Sequence, residues 1–191
     1  MPGPGALWEA TMSIVRLPGL VDVHTHLRVP GGEHKEDFAS GITTLLAMPS
    51  TTPPLSTPEL LAHTRQTAQQ TIRCDVGLFA GANPGQIQHL PACAPFALAL
   101  KIYQNDTFGP LRVDNLPTLE TCFETWPPDK LIAMHAEGQS VAVGIGLAAA
   151  YRRPVHFCHI SRRDEIELIA AAKERSLPVT CEVTPELMRK A

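Results

Sequence analysis

Short apolar runs bounded by turn residues recur along the chain, at 17–26, 42–48, 74–80, 96–103, 131–135, 154–160 and 178–183. They are rich in Val, Leu and Ile and show little polar alternation, the pattern of strands buried on both faces. Between several of them lie stretches with helical periodicity, at 58–70, 116–123, 139–151 and 164–174. In the last, Ile166, Ile169 and Ala170 form one apolar stripe with charges opposite. Strand and helix in alternation predict a parallel sheet with crossover connections. Polar residues gather at the C-terminal ends of the strands, which points to an α/β fold of the (β/α)8 TIM-barrel type, where sites form at that rim. A closed barrel takes eight strands and about 250 residues. The 191 residues here supply seven, so the expected barrel is incomplete.

Composition narrows the function classes. A net charge of −3 lacks the basic excess of a nucleic-acid or anionic-membrane binder. The five cysteines are scattered, without a Cys-x-x-Cys pair, as in a reduced intracellular protein. The N-terminus has no basic start and long apolar stretch of a signal peptide, and the longest apolar run, 141–151, is about half of a membrane span. A cytoplasmic protein is expected, with residues 1–14 a disordered leader, Met12 a possible alternative start, and 15–191 the barrel domain.

Candidate chemistry sits at the strand ends. In Val21-Asp22-Val23-His24-Thr25-His26, residues two apart share a face, so Asp22, His24 and His26 point one way. Two neutral imidazoles on one face can bind a metal ion. Lys101 shares a strand face with Ala97, Ala99 and Tyr103, whose small members leave room for its stem. A buried ammonium is costly, which favours the neutral amine, and a neutral amine can take up carbon dioxide to become a bridging carboxylate. A lysine reaching solvent along its own stem is the plain alternative. His135 and His159 end two later runs. Each alone also reads as a hydrogen-bonded structural histidine; together with the earlier residues they form the set that a two-metal hydrolase needs. Adjacent residues on a regular strand face opposite ways, so with His159 inward Cys158 is expected to pack against a helix unless a bulge intervenes. Glu182 is placed as a partner of a ligand or as an extra ligand. Arg28 suits a substrate carboxylate or a solvated loop. The glycines at 81–85 and 144–146 match no phosphate loop.

Residues 17–41, reading Leu17-Pro-Gly-Leu-Val-Asp-Val-His-Thr-His-Leu-Arg-Val-Pro-Gly-Gly-Glu-His-Lys-Glu-Asp-Phe-Ala-Ser-Gly41, resemble the opening of dihydroorotases. The likeness is greatest to the dihydroorotase domains of animal multifunctional pyrimidine-synthesis proteins. It continues through Leu100-Lys-Ile-Tyr103, Ala133-Met-His-Ala-Glu137, His156-Phe-Cys-His159 and Leu177-Pro-Val-Thr-Cys-Glu-Val183. The resemblance implies a two-zinc amidohydrolase interconverting N-carbamoyl-L-aspartate and L-dihydroorotate. His24 and His26 match ligands of one zinc and His135 and His159 ligands of the other. Lys101 matches the carboxylated lysine bridging both, and Cys158 and Glu182 allow for a third metal. Arg28 and Ser50 fall at substrate-binding positions, and Thr107 and Phe108 in a loop that closes over the substrate.

The chain departs from that pattern in three places. The family's essential aspartate lies on an eighth strand, in Asp-His-Ala-Pro-His, beyond Ala191, so no catalytic acid/base is assigned. The first crossover is short at Gly41-Ile42, and Ser50 stands where relatives usually carry asparagine. The expectation is a dihydroorotase-like chain without turnover in isolation, whose open edges favour homo-oligomers or association with full-length relatives. Two other readings remain: a dihydropyrimidinase- or hydantoinase-like hydrolase, and a non-catalytic remnant with a binding or assembly role.

Overall fold

The computed structural model describes residues 16–39, 44–107 and 109–185. The expected leader, the crossover step at 41–42 and Phe108 lie outside the described residues. The seven strands are β1 Val21–Thr25, β2 Thr44–Ala47, β3 Val76–Gly81, β4 Ala99–Tyr103, β5 Ile132–His135, β6 Val155–Ile160 and β7 Val179–Val183. Every pairing is parallel and the spatial order follows the chain. The sheet is a curled, open part of a TIM barrel, flanked by α1 Pro58–Thr71, α2 Leu90–Cys93, α3 Leu116–Thr125, α4 Gln139–Tyr151 and α5 Arg163–Glu174.

Capping explains where the longer helices start. Thr57 accepts the Leu60 N–H ahead of Pro58, and Asn115 accepts the Thr118 N–H ahead of Pro117. The crossover between β3 and β4 holds no long helix. Pro84, Pro91 and Pro95 each suit the first turn of a helix and not its interior, so 84–96 breaks into α2 and two 3-10 turns. The strand expected over 96–103 therefore starts at Ala99.

Alternation along the strands divides the molecule into two apolar layers. Leu45, Leu78, Leu100, Ile102, Ile132, Met134, Val155 and Phe157 belong to the main core with the helices. Met48, Phe79, Ala99, Ala133 and Cys158 form a smaller cluster apart from it. The alternation puts this second set on the inner face of the curl. Gly144 lets α4 approach the sheet, since a Cβ there would lie 2.7 Å from the Phe157 ring. Val21 and Val23 of β1, with Leu17 and Leu20 before it, remain exposed, as does Val183 of β7.

Two buried charged residues hold the connections. Glu165 accepts the N–H groups of Gly138 (2.7 Å) and Arg162 (3.2 Å), tying the loop after β5 to the start of α5. The Arg153 guanidinium donates to the carbonyls of Phe123 (2.8 Å), Trp126 (2.6 Å), Pro127 (2.6 Å) and Lys130 (3.3 Å). It thereby occupies carbonyls at the C-terminal end of α3 and in the turn leading to β5. Replacing it with methionine strands these acceptors in a buried site, and Arg153→Met is expected to cost about 3 kcal/mol. Urea unfolding checks this through a lowered midpoint at an unchanged slope.

Candidate metal centre

Because the strands are parallel, their C-terminal ends share one rim, and the predicted residues meet there. His24 lies in β1 with His26 just beyond it; Lys101 lies in β4, His135 closes β5 and His159 is near the end of β6. The Nε2 atoms of His24 and His26 are 3.3 Å apart, and His135 Nδ1 is 3.0 Å from His159 Nε2. The His24 and His159 rings join the pairs, with centroids 5.2 Å apart. Two nitrogens bound at about 2.0–2.1 Å to one tetrahedral zinc ion lie about 3.3 Å from each other. Both pairs fit that spacing, and the donor set of imidazole, thiol and carboxylate suits zinc. Asp22 accepts the His24 N–H at 3.0 Å.

Lys101 is completely buried, so it does not reach solvent along its stem. Its Nζ lies 2.7 Å from Cys158 Sγ and 5.2 Å from the centre of the Tyr103 ring. The expectation that Cys158 packs against a helix is overturned. The β6–β7 register shifts between Phe157 and Ile160, and His159 adopts φ 38°. This irregularity breaks the alternation, so Cys158 and His159 both face the inner side. His24, Cys158 and Glu182 bring a nitrogen, a sulfur and an oxygen within 4.8 Å of one another.

Glu182 is the hub of the rim. One oxygen meets His24 Nδ1 and accepts the His159 N–H at 3.0 Å; the other lies 3.5 Å from His156 Nε2. His156 also contacts Thr180 Oγ1 at 2.9 Å. The sequence reading missed His156, because regular alternation cannot place it and His159 on one face.

The substrate-position residues are more dispersed. The Arg28 guanidinium donates to the Ser50 carbonyl at 3.1 Å, while Ser50 Oγ meets His26 Nδ1 at 3.0 Å. Both residues line a cavity of about 310 Å³ with His34, Lys35, Thr51 and Thr52. His34 and Lys35 entered the sequence reading only as part of the dihydroorotase-resembling run at 17–41, without a role of their own. Thr107 is exposed on the loop after β4.

No protein-family model matches the chain. It is 46% identical over 180 residues to the multifunctional protein CAD of Squalus acanthias, covering 90% of this chain and 8% of that protein. It is 30% identical over 215 residues to the dihydroorotase of Mycobacterium leprae, covering 90% of this chain and 49% of the relative. The inactive dihydroorotase-like domain of a Chaetomium thermophilum CAD-like multifunctional protein aligns with a TM-score of 0.75 at 25% identity, covering 88% of this chain and 52% of that one. This chain is dihydroorotase-like. An Arthrobacter aurescens L-hydantoinase shares the fold, with a TM-score of 0.76 at 20% identity over 88% of this chain and 47% of that one. The dihydroorotase-like chain spans about half the length of the dihydroorotase it matches and a small part of the multifunctional protein. No helix among the described residues is long and apolar enough to cross a membrane.

Electrostatics divide the imidazoles of this dihydroorotase-like rim. Burial pulls His24 down, but its hydrogen bonds to Cys158 and Glu182 outweigh that and raise its pKa to about 9. Burial works against the Glu182 anion, yet His156 and His24 hold its carboxyl well below the usual range. His26 is lowered to about 4 by burial and by Arg28, and His159 to about 4 by burial and by Lys101. Burial and Lys101 also lower His135. At neutral pH the rim thus holds one imidazolium paired with a carboxylate, beside three neutral imidazoles with lone pairs for a metal.

The signs set a stability profile for protein stripped of metal by chelation. His24 binds its proton more tightly folded than unfolded, so its contribution is complete below about pH 6.5 and is lost as the pH rises toward 9. His26 and His159 bind theirs less tightly when folded, so their contribution is complete above about pH 6.5 and is lost as the pH falls toward 4. The depressed Glu182 adds to the loss in acid. The urea midpoint is expected to peak near pH 6.5, with Glu182→Gln reducing the fall on the alkaline side and Cys158 sustaining the rest. A midpoint climbing steadily from pH 6.5 to 9 would contradict the His24–Glu182 pairing.

Proposed function

We propose that this chain is a zinc-binding amidohydrolase module of the dihydroorotase kind, acting between N-carbamoyl-L-aspartate and L-dihydroorotate. The observation that carries the reading is the meeting of two histidine pairs at one rim, each at a spacing suited to one zinc ion. His24 and His26 would hold one ion and His135 and His159 a second. Lys101, carboxylated on Nζ, would supply the bridging carboxylate, and its buried place among imidazoles suits an anion facing two cations. His24, Cys158 and Glu182 together offer a third position. Bound zinc supplies a hydroxide nucleophile near neutral pH and polarises an amide carbonyl.

The chain's own residues would select the substrate. The cavity lined by Arg28, His34 and Lys35, with three hydroxyl-bearing neighbours and no carboxylate among the described residues that line it, favours a carboxylate-bearing ligand. A neutral cyclic ureide, the substrate type of a dihydropyrimidinase, has no use for those charges. A second reading is a dihydroorotase-like module that binds or assembles without turnover. The Chaetomium relative is itself described as inactive, and Ser50 turns its hydroxyl to His26.

Zinc content by mass spectrometry, followed by turnover of L-dihydroorotate and dihydrouracil, tests the proposal. The expected result is about two zinc ions per chain, strongly reduced zinc in Lys101→Ala, and any turnover confined to dihydroorotate. Zinc without turnover of either compound would favour the non-catalytic reading. Turnover of dihydrouracil alone would replace the substrate class, and a folded wild-type chain without zinc would remove the metal centre.

A further inference from the structure

We propose that Ser50 is a positioning residue for His26, holding the imidazole in the tautomer whose Nε2 lone pair is offered to the metal. The role rests on the reading of the rim as a metal centre, and it differs from the substrate contact expected at this position.

Ser50 is buried just after β2, where the chain is fastened to the end of β1 and the loop that follows it. Met48 donates its N–H to the Thr25 carbonyl at 2.8 Å, and Thr52 donates to the Pro30 carbonyl at 3.0 Å. Between these two points Ser50 is gripped by two β1-loop side chains. Its carbonyl accepts from Arg28 Nη1 at 3.1 Å, and its hydroxyl lies 3.0 Å from His26 Nδ1. The hydroxyl therefore sits against the outer nitrogen of the ring, on a backbone held from both sides.

The other nitrogen, His26 Nε2, lies 3.3 Å from His24 Nε2. A neutral imidazole carries one N–H. With that proton on Nε2, it would occupy the space that the two ring nitrogens share, and His26 could not donate a lone pair there. With the proton on Nδ1, the Ser50 oxygen accepts it and Nε2 is free to bind. A hydrogen bond to the nitrogen that does not bind metal is the usual means by which a ligand histidine is held in one tautomer and orientation. Side-chain length explains why serine does this here. The hydroxyl stands one bond from Cβ and stops at the ring edge, whereas an asparagine amide would extend past that point with a donor and an acceptor.

The test reads the tautomer directly, on chelated protein labelled with 15N-histidine, with His26 assigned through His26→Gln. The protein is held above the His24 pKa of about 9, so that no His24 proton faces His26 Nε2. Wild type and Ser50→Thr are expected to carry the His26 proton on Nδ1, and Ser50→Ala to show both tautomers. Cobalt(II) affinity, read from its visible absorption, is expected to fall by about 10–100-fold in Ser50→Ala and to recover in Ser50→Thr. A wild-type proton on Nε2 would overturn the proposal, as would a Ser50→Ala protein with unchanged tautomer and affinity. If Ser50→Ala does not fold, the wild-type and threonine spectra still decide. A wild-type chain with the proton on Nδ1 that binds no cobalt would support the Ser50 contact and sink the metal centre, so the two failures are distinct.

Discussion

The carboxylate of Glu182 is the interaction on which the rim depends. It stands on the last described strand, yet it meets His24 on the first and the His159 backbone on the sixth. A half-buried carboxylate is stable when its lone pairs are occupied, and here His24, His156 and a backbone N–H occupy them. The same contacts bring strands far apart in the curl to a common point. Cys158 and Glu182 keep the proton on His24, while burial, with Arg28 beside His26 and Lys101 beside His159, keeps those two neutral.

Small side chains make this arrangement possible. Ala99 and Ala133 occupy the inner face where larger residues would fill the curl, and they leave space for the Lys101 stem and the Cys158 sulfur. On the opposite face Leu100, Ile102, Ile132 and Met134 bury against the helices and fix the strands in register. The side-chain cluster on the inner face thus rests on the apolar packing of the outer one. Arg153 and Glu165 serve the same end at the connections, where each satisfies backbone groups that would otherwise be buried without partners.

Much of this was legible from local pattern. Gln139–Tyr151 forms the helix read at 139–151, and every predicted apolar run within the described residues contains a strand. Lys101, His24, His26 and His135 lie where alternation and strand ends placed them. The crossover from β3 to β4 was less legible, because its prolines split it into turns too short to show a helical period.

What the sequence by itself determined was the order of elements, their parallel arrangement and the rim on which the chemistry gathers. Those follow from periodicity and from the rule that parallel strands end on one side. Only the tertiary structure decided which side chains meet. The bulge near His159 turned Cys158 inward beside Lys101, and the curl carried Glu182 to His24 across 158 positions of the chain. It also set Ser50 against His26. A pattern of two or 3.6 residues contains no such long-range pairing. It arises only when register and the closing curvature of the sheet fix the distance between strand ends.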